Sequence, residues 1–130
     1  DGYALGYGRK YCRRISGLDG LSAAGRRWRD GVVACLQHRL RDALPATGCD
    51  CGAIARKAYA SHYACYARAS VSICDLPPRD IALIEASIDD SDKTNARGLR
   101  VLFRLSARCL ATNPANTRAA VRAIRQARRQ

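Results

Sequence analysis

Residues 22–43 read SAAGRRWRDGVVACLQHRLRDA. Trp28, Val32, Cys35, Leu36, Leu40 and Ala43, with the stem of Arg39, fall on one stripe at helical spacing. A helix is expected to start near Ser22 and run to Ala43, where Leu44-Pro45 stops it and Gly48 turns the chain. Downstream, Asp50 is a good N-cap for a helix over about Cys51 to Ser72, with Cys51, Ile54, Ala58, His62, Cys65 and Ala69 as its stripe. Pro77-Pro78 breaks the chain and starts a helix over Arg79–Ile88, with Ile81, Ile84 and Ile88 inward. The polar run Asp89–Lys93 reads as a loop. Thr94 or Asn95 caps a helix carrying Leu99, Leu102, Phe103, Ser106 and Cys109 on one face. Asn113-Pro114 caps the last helix, which runs to about Arg128 with Val121 and Ile124 on a thin apolar side. Upstream, residues 1–7 are rich in Gly and Tyr and are expected to be extended. A short helix follows from about Arg9 to Ser16, ended by Gly17. No segment alternates with period two, so no strand is expected. The fold class is therefore all-α: one domain over residues 1–130, a compact bundle of about five or six helices, with a basic C-terminal helix at about 114–128.

The 130 residues suffice for one domain, and 48% hydrophobic with 26% charged composition is that of a globular chain, not a disordered one. No apolar run approaches the roughly 18 residues that span a bilayer. Methionine is absent, even at position 1, so Asp1 is expected to follow a removed signal peptide and the protein to be soluble and secreted. Cysteines stand at 12, 35, 49, 51, 65, 74 and 109. In a short chain of that kind they read as a disulfide framework in an oxidising compartment. Zinc fits less well, because no C-x-x-C pair is present and only His38 and His62 could add nitrogen. Seven is odd, so one thiol must be free, capped or bonded to another chain. Those at 35, 65 and 109 sit on the stripes of three different helices, which suits crosslinks between helices.

Lys plus Arg is 23 against 11 Asp plus Glu, a net charge of +12. Such a field favours anionic partners, and the cations are nearly all arginine, which forks onto sulfate, phosphate and carboxylate. Arg118, Arg122, Arg125 and Arg129 recur on one helical face with Arg128 beside it, and no acid occurs from Asn113 to Gln130. This row is the expected anion-binding site, for an acidic protein, a sulfated glycan or an anionic membrane surface. No nucleic-acid module is visible, so sequence-specific nucleic-acid binding is not expected.

Catalysis is not expected, and no metal or cofactor is implied. No G-x-S-x-G is present, His38 lies on a basic, solvated face, and His62 lies on a core stripe. His62-Tyr63-Ala64-Cys65-Tyr66 looks like a fragment of the secreted phospholipases. Tyr63, however, stands where that family has its calcium-binding aspartate, and the stretch from Cys51 to His62 is too short and Gly-poor for the calcium loop. Glu85, Asp89, Asp90 and Asp92 cluster, but without a D-x-D-x-D-G pattern they read as a solvated loop.

Cys51 and Cys65, with Tyr66 directly after and Cys74 soon following, form one part of a recognisable pattern. Cys12 and Cys35 with Gly25 and Trp28 between them form another, and Leu99–Leu105 followed by Cys109-Leu-Ala-Thr-Asn-Pro closes it. Over roughly residues 10–115 this order resembles the stanniocalcins, secreted helical glycoprotein hormones. The resemblance implies a Cys35–Cys65 bond and an interchain bond from Cys109 that makes a covalent homodimer. Cys12, Cys49, Cys51 and Cys74 would then form two bonds among themselves, with Cys12–Cys51 and Cys49–Cys74 favoured, giving three intrachain disulfides. The functional expectation is a secreted, non-enzymatic, stanniocalcin-like binding or signalling protein. The alternative is a cationic, membrane-active defence protein or toxin.

Overall fold

A computed structural model of the chain describes residues 2–48, 50–68 and 70–130. It is helical throughout, with no strand among the described residues. A π-helical stretch, Tyr3–Gly8, runs directly into α1 (Arg9–Ser16). Then come α2 (Ala23–Ala43), α3 (Cys51–Arg68), a 3₁₀ turn (Ile73–Asp75), α4 (Pro78–Ala86), α5 (Asp90–Thr94), α6 (Ala96–Thr112) and α7 (Pro114–Ala127). Helix α2 packs along α3, and α7 packs chiefly on α4. Helix α6 bridges α3, the 3₁₀ turn and α7.

The helix ends follow local chemistry. Ser22 accepts from Gly25 N and Asn95 from Gly98 N, so two orphan amides are met by side chains. Pro114 sits in the first turn of α7, and Asn113 Oδ1 accepts from Asn116 N. Asp80 of α4 is buried and accepts from both the backbone N and the hydroxyl of Ser22, holding a carboxylate at the start of α2.

The expected stripe of α2 is the core. Trp28 and Val32 pack with Leu21, Leu76 and Ile84, all buried. Trp28 Nε1 donates to the Tyr66 carbonyl at 3.1 Å, so the indole buries its ring and still satisfies its one donor. Asn116 Nδ2 donates to the carbonyls of Cys74 and Leu76 at 2.9 and 2.8 Å, tying α7 to the 3₁₀ turn.

Four local expectations need correction. From Tyr3 onward the N-terminal stretch is not extended. Tyr3 and Tyr7 stack on one another, Tyr7 stacks on His62, and Tyr59 meets Tyr3 edge-on and Tyr7 at a tilt. Helix α3 is shorter than expected, because the chain turns before Cys74; Ala69 of its expected stripe lies outside the described residues. The segment at 89–93 is not a loop but contains the single turn of α5, closed by Lys93 on Asp90 and by Thr94 Oγ1 on the Asp90 carbonyl. The fourth correction is the face of α6. Gly98, Val101, Leu105 and Cys109 turn inward, while Leu99, Leu102, Phe103 and Leu110 are exposed.

The cysteine scheme is corrected in the same way. Cys35 of α2 bonds Cys65 of α3. Cys74 bonds Cys109 within the chain, with Cα atoms 5.0 Å apart. This excludes both Cys49–Cys74 and an interchain bond from Cys109. Cys109 lies on the inward row of α6, directly over the buried Cys74, so its sulfur faces the turn and not another molecule. Cys12 carries a free thiol, so it does not join Cys51. It shares a wall with Tyr66, and residues 51 and 66 stand about 22 Å apart along α3, beyond disulfide reach. Cys49 lies outside the described residues. Two disulfides, not three, are present among the described residues.

Candidate anion-binding surface

The rotation of α6 fixes the character of this surface. Arg97 lies over the Tyr59 ring at 4.9 Å, and Arg104 over the Tyr63 ring at 4.0 Å. These two cation–π contacts turn the basic flank of α6 toward α3. The disulfide from Cys109 fixes the inward row. What remains is the row Leu99, Leu102, Phe103, Ser106 and Leu110, spaced i, i+3, i+4, i+7 and i+11 and left in solvent, with Phe103 76% exposed. Leu102 lines the space between α6 and α7 together with Val121 and Ile124, so the apolar row borders α7.

Arg118, Arg122 and Arg125 lie on α7, and Arg129 lies in the turn that follows it. Arg118, Arg122, Arg125 and Arg129 are exposed, and none has an acidic partner among the described residues. Arg128 differs. Its guanidinium bonds Glu85 at 2.5 Å and reaches Asp90 at 3.3 Å, so it belongs to an ion-paired knot and not to the free row.

That knot gathers the acidic cluster. Glu85 bonds Lys93 at 2.7 Å, and Asp89 bonds Lys10 and Arg14, each at 2.6 Å. Asp92 takes Lys10 and the Tyr11 hydroxyl. Burial pushes the Glu85 carboxyl up, but Lys93 and Arg128 outweigh it and hold the group below its usual range. Lys10 and then Arg14 hold Asp89 low, and Lys93 does the same for Asp90. The acids are thus neutralised by cations from α1, α5 and α7, not left as a solvated loop.

The histidines divide as expected. His38 is exposed beside Arg41 and Asp42. His62 is buried, with Nε2 2.8 Å from the Tyr3 hydroxyl, and burial pushes its pKa down to about 4. Tyr66 beside it is pushed up to about 12, chiefly by burial. Among the described residues no group of three or more His, Cys, Asp or Glu side chains converges on a metal-sized site, and no helix is long and apolar enough to cross a membrane.

The sequence groups Leu99, Leu102 and Phe103 with Cys109 on one face, and the structure separates them, leaving the first three in solvent. Helix α6 carries two apolar rows, and a helix at the edge of a bundle can bury only one. Searches of protein-family models, curated proteins and solved structures return no match for this chain.

Proposed function

We propose that this is a secreted, non-enzymatic, cationic protein that binds anionic lipid surfaces through the α6–α7 hairpin. One observation carries the reading: an exposed apolar row on α6 borders α7, whose exposed arginines have no acidic partner among the described residues. Arginine alone would serve any polyanion. An apolar row beside it suits an interface with charge at its surface and hydrocarbon beneath. The excess charge of +12 attracts the protein to such a surface, and insertion of Phe103 and its neighbours then holds it there.

Binding to vesicles of phosphatidylglycerol and phosphatidylcholine tests this by cosedimentation. We expect binding that scales with anionic lipid and falls about ten-fold on Phe103→Ser, as the loss of one buried aromatic ring predicts. Retention on heparin should not change in that variant. If Phe103→Ser leaves vesicle binding untouched, the lipid reading fails.

The second reading is a stanniocalcin-like signalling role, in which the same arginine row grips a sulfated glycan or an acidic protein. The Cys35–Cys65 bond, which that resemblance implies, favours it. Substituting Arg118 and Arg122 would then abolish heparin retention at moderate salt, while Phe103→Ser would be silent in every assay.

A further inference from the structure

Beneath α6 lies a cavity of about 200 Å³. Ile81 and Ile84 of α4, Val101 and Leu105 of α6, and Val121 and Ile124 of α7 form much of its wall. It reaches the surface, since the exposed Leu102 and Arg97 also line it. Its size exceeds the roughly 150 Å³ in which an apolar protein cavity already holds a benzene ring. Most charged groups on the wall have partners within the chain. Glu85 and Lys93 bond one another, Asp92 is taken by Lys10 and Tyr11, and His62 by Tyr3. Arg97 is the exception. Its guanidinium lies over Tyr59 at the rim and meets no carboxylate among the described residues.

An apolar cavity open at one side, with one uncompensated cation at its rim, selects a ligand with an apolar body and one anionic end. We propose that this cavity binds a single-chain alkyl carboxylate, with the tail among Val101, Leu105 and Ile84 and the carboxylate on Arg97. The site meets the surface row of α6 at Leu102 and Ser106 but does not include Phe103 or the arginines of α7. Helix α6 contributes one face to the cavity and another to solvent, and a ligand inside does not require the protein to be at a membrane.

Octanoate, a soluble probe, tests this with the intact disulfide-bonded chain. Calorimetry should give saturable one-to-one binding, tighter than hexanoate by about fifteen-fold, because each of the two additional methylenes that enter an apolar site tightens binding about four-fold. Arg97→Gln should weaken octanoate about ten-fold and leave octanol unchanged. Leu105→Trp, which fills the chamber, should weaken both at least ten-fold. Amide and methyl shifts in the wild-type protein give a check that needs no variant. They should move at Ile81, Ile84, Val101 and Leu105. Shifts confined to Arg118, Arg122 and Arg125, binding that never saturates, or equal loss of octanoate and octanol in Arg97→Gln would each overturn the proposal. None of these outcomes bears on vesicle binding through Phe103, so the two readings fail separately.

Discussion

Acidification should destabilise this protein through one imidazole. His62 is 3% exposed, and burial lowers its pKa from 6.5 to about 4. The unfolded chain therefore takes up the proton first as pH falls. Above about pH 6.5 both states hold His62 neutral, and its contribution is fully present. Between pH 6.5 and 4 the unfolded state gains protonation energy that the folded state does not, and below 4 the loss levels off. At about 1.4 kcal/mol per pH unit the full loss is about 3.5 kcal/mol, of which about 2.5 kcal/mol is gone by pH 4.5. That is a large share of the roughly 5–15 kcal/mol net stability of a domain. The assay is urea unfolding followed by circular dichroism at about pH 7.5 and about pH 4.5, on the wild type and on His62→Gln. Glutamine cannot titrate, and its amide can still meet the Tyr3 hydroxyl. Glu85, Asp89 and Asp90 are held below their usual range, and they are common to both proteins, so they cancel. We expect the wild type to lose about 2.5 kcal/mol more than His62→Gln over this interval. Parallel pH profiles for the two proteins would refute the assignment of the acid loss to His62.

Two further outcomes follow from the packing. Cys109→Ser should cost about 3–4 kcal/mol by opening the crosslink to Cys74, and amide exchange should accelerate over 96–112 first, because α6 buries no residue of its own. Equal loss of protection across α2 and α3 would contradict this. Gly25→Ala should destabilise by about 2 kcal/mol, although the same change inside a helix ordinarily stabilises. A Cβ at that position would fall on the Asp80 carboxylate and displace it from Ser22. A melting temperature at or above the wild type's would sink that argument.

The sequence makes the α2 stripe, the caps at Ser22, Asn95 and Asn113, and the arginine row legible, because each depends on residues within a few positions of one another. What it hides is set at long range. Periodicity identifies both apolar rows of α6 but does not rank them. The ranking comes from Arg97 and Arg104 finding Tyr59 and Tyr63 on α3, and from Cys109 finding Cys74. The cysteine pairing was misjudged for a related reason. It hangs on the 3₁₀ turn Ile73–Asp75, which lies just beyond the end of the expected helix at Ser72, in a segment to which the sequence assigns no element. The acidic cluster read as a loop because its cations, Lys10, Arg14 and Arg128, lie at the two ends of the chain.

The distribution of charge then follows from where those acids sit. Glu85, Asp89, Asp90 and Asp92 occupy the corner where α1, α5 and the end of α7 meet, and they bind the cations there. Asp80, another of the eleven acids, is buried against Ser22. The arginines of α7 upstream of Arg128 lie outside this corner, and residues 113–130 contain no acid. Concentrating the acids in one knot therefore does two things at once. It locks the N-terminal helix and α5 to the bundle, and it leaves the outer face of α7 as an uninterrupted cationic strip. An equal number of acids spread along α7 would keep the same net charge and remove the strip. The arrangement of the acids, more than the total of +12, is what gives the α6–α7 hairpin a face suited to an anionic surface.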